Sequence, residues 1–218
     1  MNVTLRWITP DAERQIVEIA RVSSDPAAAK RPDVDLIRYL LKHRHWSPLE
    51  HASACIEIDG ASRAVTRQML RHRAFHFQEF SFRYQVAGLA GETIITPARM
   101  QHPTNRQASV PCEDEALAEW WETRQRINAA FAQELYEAAI AHGIAKEVAR
   151  AVLPEGMTST RLLMTGTVRD WLHYCDLRRG NGTQLEHQHI AEAIWDVLRE
   201  ALPTITDAWT TLSGRTAE

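Results

Sequence analysis

Apolar positions along the chain change period several times, and each change marks an element. Ile16, Ile19 and Ala20 recur at helical spacing behind Thr9-Pro10, where Thr9 can cap and Pro10 can take the first helical position. Ser24-Asp25-Pro26 to Arg31-Pro32 is rich in breakers and reads as a loop. A second helix is expected from about Asp33, burying Leu36, Ile37, Leu40 and Leu41, and it runs into the polar stretch His43-Arg44-His45-Trp46-Ser47-Pro48. Residues 52–59 alternate, Ala52, Ala54, Ile56 and Ile58 against Ser53, Cys55, Glu57 and Asp59, which predicts a half-buried strand closed by Asp59-Gly60. A helix over 62–72 follows, with Ala61, Val65 and Met69 as its apolar stripe. Phe80, Phe82, Tyr84 and Val86 then alternate with Glu79, Ser81, Arg83 and Gln85, predicting an extended segment.

Residues 87–111, rich in Gly, Pro and Thr, read as a loop. The longest helix is expected from Cys112 to His142, with Leu117, Trp120, Trp121, Ile127, Phe131 and Leu135 facing inward and Gly143 stopping it. A short helix over 146–153 ends at Pro154. Another at 168–178 precedes a Gly180-Asn181-Gly182 turn, and a last long one over 184–201 stops at Pro203. The sum is an α+β unit with more helix than strand.

Composition narrows the class. The 218 residues, 44% hydrophobic and 24% charged, suit a globular domain spanning 1–218 and exclude a disordered, collagen-like or disulfide-stapled chain. No apolar run approaches the ~20 residues of a membrane-spanning helix, and Met1 to Arg6 does not read as a secretory signal. Cys55, Cys112 and Cys175 form neither an even set nor a Cys-x-x-Cys pair, so reduced thiols in a cytoplasm are expected. A net charge of -3 gives no general attraction to nucleic acid or to a membrane surface.

Anion binding must therefore come from a local cluster, and one is present. From Gly60 to Gln78 there is no acid, yet Arg63, Arg67, Arg71 and Arg73 fall there. On a helix the first three lie along one side, so an outside negative charge is expected, and a phosphate matches the arginine fork. The run that follows places Glu79, Ser81, Arg83 and Gln85 in alternation, two donors and two acceptors suited to a nucleotide.

Arg71-His72-Arg73, then seven residues, then Ser81, extended by Glu79, Arg83 and Tyr84, resembles the signature of the flavin-dependent thymidylate synthases. Further landmarks resemble that family in order along almost the whole chain. They are Ala20-Arg21-Val22-Ser23; His43 to His51 with His45, Ser47, Pro48 and Glu50; Arg67-Gln68; Val148-Ala149-Arg150 with Leu153-Pro154 and Arg161; Asp176-Leu177-Arg178; and Gly180-Asn181-Gly182-Thr183-Gln184. The resemblance implies a helix-rich α+β fold with an antiparallel sheet flanked by helices. It also implies a homotetramer with FAD at subunit junctions and residues of more than one chain in each active site. His45, Ser47, Arg71, His72, Arg73, Glu79, Asp176, Arg178 and Asn181 would be flavin neighbours. Gln68, Arg71, Glu79, Ser81, Arg83 and Arg161 would surround the uridine nucleotide. The implied reaction methylates C5 of dUMP, with carbon from methylenetetrahydrofolate and electrons from NADPH through the flavin.

That chemistry needs donors more than a nucleophile. C5 of uracil becomes nucleophilic when negative charge on the N3–O4 edge is stabilised, a task for arginine or amide donors such as Arg71, Arg178 and Gln188. Ser81 is expected to hydrogen-bond the nucleotide, since no histidine is spaced to deprotonate it. The chain departs from the family in two places. His76 stands where many relatives carry serine, and Gln188 stands where the family usually has an arginine on the pyrimidine edge. Glutamine brings no positive charge, so Arg178 or Arg179 fills in or the nucleotide sits differently. Relatives that methylate UMP for nucleoside-antibiotic assembly make such a rearranged pocket a second reading.

Two other classes fit parts of the chain. Histidine pairs such as His72 and His76, four residues apart, could grip zinc in a hydrolase, but they straddle an expected helix-to-extended change and lack a His-Glu-x-x-His. A flavin-free RNA-binding module could stack bases on Phe75, Phe77 and Phe80, but the net charge and the lack of a spread basic face oppose it. No metal is expected, and the absence of a Gly-rich dinucleotide fingerprint excludes a doubly wound flavin site.

Overall fold

In the computed structural model, β1 (Asn2–Ile8), β2 (Ser53–Ser62), β6 (Ser159–Thr167) and β3 (His76–Glu79) lie side by side in that order, each antiparallel to its neighbour. The structure describes residues 1–23, 30–85, 93–180 and 182–214, so Asn181, Val86 and parts of the 24–32 and 87–111 loops lie outside the described residues. The expected alternation in β2 holds on the core side, where Ala54, Ile56 and Ile58 are buried with Leu162 and Met164 of β6. On the opposite face Glu57 meets Arg6 and Arg161, and Arg161 also reaches Asp59. One face of the sheet is therefore packed and the other is polar, the usual division in an antiparallel sheet.

Helices α1 (Ala12–Arg21), α6 (Val168–Arg178) and α7 (Leu185–Ala201) cover the packed face together with a 3-10 turn at Ser47–His51. Helix α2 (Asp33–Lys42) packs on α8 (Pro203–Ser213). Strands β1 and β6 and helix α8 were not legible in the sequence. In β1 the alternation breaks at a bulge between Leu5 and Trp7, and in β6 the run Leu162-Leu163-Met164 suits either period. Pro203 ends nothing further: it occupies the first turn of α8, where its missing N–H costs nothing. At the other end of the chain α1 starts at Ala12 behind Asp11, whose side chain makes no capping bond, and not at Thr9-Pro10.

Three further expectations need correction. The extended segment covers 76–79, where its period indicates 79–86. It comprises β3, while Ser81 to Gln85 turn back, Tyr84 and Gln85 donating their amides to the Ser81 carbonyl. Phe80 and Phe82 alternate because they pack beside Tyr136 and Ala149 in a small second core. The 87–111 loop contains a hairpin of β4 (Arg99–Gln101) and β5 (Ser109–Pro111). Helix α4 (Glu115–Ala141) is present and Gly143, at φ +81°, closes it, but its apolar residues face outward. Leu117, Trp120, Trp121, Ile127, Phe131 and Leu135 are 37–65% exposed, whereas Gln125, Ala132 and Tyr136 are buried. The buried amide of Gln125 is satisfied by both backbone groups of Thr96.

The contact that positions the site is Phe75. Its ring lies where a side chain on Gly166 would be, since a Cβ there would stand 2.5 Å from two ring carbons. The ring also meets Trp171 at 4.7 Å and Tyr174 at 5.8 Å between centroids. Trp171 in turn donates its Nε1–H to the Ala54 carbonyl, tying α6 to β2. Gly166→Ala should therefore expel Phe75, lowering stability by roughly 1–3 kcal/mol and the melting temperature with it. An unchanged melting temperature would show that the ring has another place to go.

Candidate active site

The arginine cluster divides when seen in three dimensions. Helix α3 spans only Arg63–Met69, capped by Ser62, so Arg71 and Arg73 fall beyond its end, on a turn. The helical arginines find protein acids. Arg63 sits 3.6 Å from Glu79 and donates to the Phe80 carbonyl, and Arg67 meets Glu155 at 2.5 Å. Arg71 and Arg73 are exposed, with no hydrogen bond or ion pair from either guanidinium among the described residues. The external charge expected for three aligned arginines is thus needed at the turn and not along the helix.

Between those two cations His72 is half-buried. It accepts a hydrogen bond on Nε2 from Arg178 Nε at 2.9 Å, and its ring packs edge-on to Tyr174. Burial, then the Arg178 charge, pulls its pKa down to about 4, so the ring is a neutral acceptor at pH 7. Nearby His187 is fully buried and is lowered to about 3 by burial, Arg178 and His72. Its Nε2 lies 2.9 Å from the Tyr174 hydroxyl and its Nδ1 3.3 Å from Gln68 Oε1. Burial raises Tyr174 far above the usual phenol range, keeping it a donor. Gln68, His72 and Arg178 therefore form one group, with Tyr174 and His187 behind them.

A second group lies along the other side of α3. Glu79 accepts from Thr66 Oγ1 at 3.0 Å in addition to its Arg63 partner. Ser81 Oγ accepts from the Arg83 amide, and the Arg83 guanidinium is 3.6 Å from Glu147. Glu147 lines a cavity of about 420 Å3 with Arg63, Arg67, Phe82, Arg150 and Glu155. His45 and Ser47 stand at the exit of α2, where Trp46 joins them to α6 through an edge-on contact with His173. Asp176 lies one turn beyond His173 on the same helix.

Two further residues expected at the nucleotide are not brought together with either group within this chain. Arg161 is held on the open face of the sheet by Glu57 and Asp59. Gln188 donates to the Arg179 carbonyl at 3.3 Å, one helical step away from the face on which His187 meets Gln68. Of the two arginines able to replace a charge there, Arg179 is paired with Glu192 and stacked on Trp195, leaving Arg178. Among the described residues no three His, Cys, Asp or Glu side chains converge as a metal site, and His72 Nε2 is already engaged. Among the described residues no helix is long and apolar enough to cross a membrane.

The family model described as thymidylate synthase complementing protein matches residues 4–204. The chain belongs to this family, that of the flavin-dependent thymidylate synthases. It is 41% identical over 202 residues to a probable flavin-dependent thymidylate synthase of Paramecium bursaria Chlorella virus 1, covering 90% of each chain. A flavin-dependent thymidylate synthase of Synechocystis is 40% identical, over 90% of this chain and 88% of the other. Among solved structures, a UMP/dUMP methylase PolB from Streptomyces cacaoi, bound with 5-Br UMP, superposes with a TM-score of 0.83 at 28% identity, over 97% of this chain and 94% of that one. The resemblance of the Arg71-His72-Arg73 signature and the expected fold class both hold.

The sequence marks Arg150 only as part of the segment that carries Arg161, yet of the two it is Arg150 that lines the cavity. Tyr174 carried no signal, being an aromatic on the buried side of α6. The neutral histidines have a consequence for stability. Below the ordinary value of 6.5 the unfolded chain binds protons that the two native rings refuse. Stability therefore falls as pH drops, the His72 share levelling near pH 4 and the His187 share near pH 3. The melting temperature of His72→Gln should decline less steeply below pH 6.5 than that of the unaltered protein. Equal slopes would mean that His72 is charged in the native state.

Proposed function

We propose that the chain catalyses FAD-dependent reductive methylation at C5 of a uridine monophosphate, dUMP to dTMP, with methylenetetrahydrofolate as carbon donor and NADPH as reductant. The observation that carries this reading is the turn at Arg71–Arg73. It presents two arginines without acid partners among the described residues, on either side of a neutral, Arg178-bonded histidine. Unpaired exposed cations fit the diphosphate of a flavin dinucleotide, and a neutral ring beside a guanidinium fits its heterocycle. When bound, the flavin supplies the hydride that reduces the transferred carbon. His45, Ser47, Asp176 and Asn181 join Arg71, His72, Arg73, Glu79 and Arg178 as its holders, by resemblance to the family.

The nucleotide falls to the residues on both sides of α3. Arg83 and Arg150 take the phosphate. The Arg83–Glu147 pair is a surface ion pair, worth about 0–1 kcal/mol, so a dianion can displace it. Glu79 and Ser81 fix the sugar and base, and Gln68 offers an amide donor. Arg71 and Arg178 stabilise charge on the N3–O4 edge while C5 attacks, and Arg178 removes the need for a cation at Gln188. Arg161 is left to the sheet.

The six large apolar side chains that α4 exposes suit burial against another copy of this chain, and four copies with shared active sites follow from the resemblance to the family. A second reading, methylation of UMP, draws on the likeness to the UMP/dUMP methylase. The test is to incubate the FAD-loaded protein with NADPH, methylenetetrahydrofolate and equal dUMP and UMP, and to weigh the products. A methyl gained mainly on dUMP is expected, with at least a tenfold loss in Arg150→Ala and little in Arg161→Ala. A methyl on UMP alone selects the second reading, and no methyl on either rejects both. The same sample should sediment at four chain masses; a monomer would rule out shared sites.

A further inference from the structure

Behind Gln68 runs a chain of side chains whose hydrogen-bond directions are not independent. Glu186 Oε1 is 2.6 Å from Arg99, and its Oε2 accepts from Gln184 Nε2 at 2.8 Å. Gln184 Oε1 accepts from Gln68 Nε2 at 2.5 Å, Gln68 Oε1 lies 3.3 Å from His187 Nδ1, and His187 Nε2 lies 2.9 Å from the Tyr174 hydroxyl. An ionised carboxylate can only accept. Gln184 must therefore turn its NH2 to Glu186 and its oxygen to Gln68. Gln68 must turn its NH2 to Gln184 and its oxygen to His187. The imidazole then carries its hydrogen on Nδ1, accepts on Nε2, and receives the Tyr174 hydrogen.

We propose that Glu186 sets the polarity of this chain, and that Gln184, His187 and Tyr174 are positioning residues that lock the Gln68 carboxamide with one N–H left over as the donor offered to the nucleotide. The proposal deepens the reading given above and rests on it for the identity of the ligand. Its chemistry is specific. A locked Gln68 meets an acceptor, such as a carbonyl or phosphate oxygen, and rejects a donor in the same place, because the reversed amide would turn its oxygen on Gln184. Three observations favour a fixed chain over interchangeable rotamers. Tyr174 and His187 are fully buried, so water cannot substitute for a lost partner at that end of the chain, whereas Gln184 is exposed and is held by its partners alone. The neutral state of His187 leaves a single hydrogen to be shared between two acceptors. Glu186 is kept below its ordinary value: burial would raise it, but the hydrogen bond from Gln184, its own backbone and Arg99 together outweigh that.

Glu186→Gln provides the test, because it replaces one acceptor of the carboxylate by a donor. With the amide oxygen kept by Arg99, the new NH2 faces Gln184 and reverses every bond behind it. His187 should then change from the Nδ1–H to the Nε2–H tautomer. Ring-nitrogen NMR shifts of 15N-histidine-labelled holoenzyme read this directly, with His187 assigned through His187→Asn. Calorimetry on the same samples should show dUMP binding about tenfold weaker in Glu186→Gln. An Nε2–H tautomer in the unaltered protein would overturn the proposal, as would an unchanged tautomer in Glu186→Gln. Unchanged dUMP affinity after a tautomer switch would equally remove Gln68 as the donor the chain serves. If the unaltered protein binds no uridine nucleotide, the proposed function fails instead, and the tautomers still decide the polarity of the chain.

Discussion

Phe75 fills the space that any side chain on Gly166 would occupy, and its ring also meets Trp171 and Tyr174, so the turn before it cannot shift without opening the core. That one packing constraint joins β6, α6 and the end of α3. It sets His72 where Arg178 can donate to it, and it leaves Arg71 and Arg73 projecting on either side. The rigidity comes from the apolar interior and the chemistry from what that interior pushes to its rim, which is how a binding site of charged groups acquires fixed geometry.

The ion pairs show the same economy of charge. Arginines inside α3 or on the sheet are matched by Glu79, Glu155, Glu57 and Asp59, while those at the turn have no acid partner among the described residues. An unmatched guanidinium is a readiness to bind an anion, because its attraction is not already spent on a carboxylate. The neutral histidines beside them act in the opposite sense. By staying uncharged down to about pH 4 and about pH 3, His72 and His187 avoid adding to the local positive charge and keep an acceptor for Arg178 and for Tyr174.

Much of this was legible in the chain. The periods of α2, α4 and β2 were plain, the breaks after α6 and α7 were marked, and Arg71-His72-Arg73 with Ser81 pointed to the family. What the periods could not convey was which side of an element has a partner. On α4 the apolar stripe was clear, but its neighbour is not this chain's own core, so the stripe faces outward. Helical spacing likewise aligned Arg63, Arg67 and Arg71, whereas α3 ends at Met69 and separates the last from the first two. Arg161 and Arg150 share one segment, and only the strand that carries Arg161 to the open sheet face decides between them. The bond from His187 to Gln68 spans elements far apart in sequence and leaves no local trace.

The central claim is that a single turn serves flavin and nucleotide together. The most direct measurement is a difference spectrum of the FAD-loaded protein as dUMP is added, with calorimetry on the same sample. The account predicts that dUMP perturbs the flavin absorption bands as it binds, and that Arg71→Ala weakens both the perturbation and the retention of flavin. A flavin spectrum that does not change while calorimetry records dUMP binding would place the two ligands apart and contradict it.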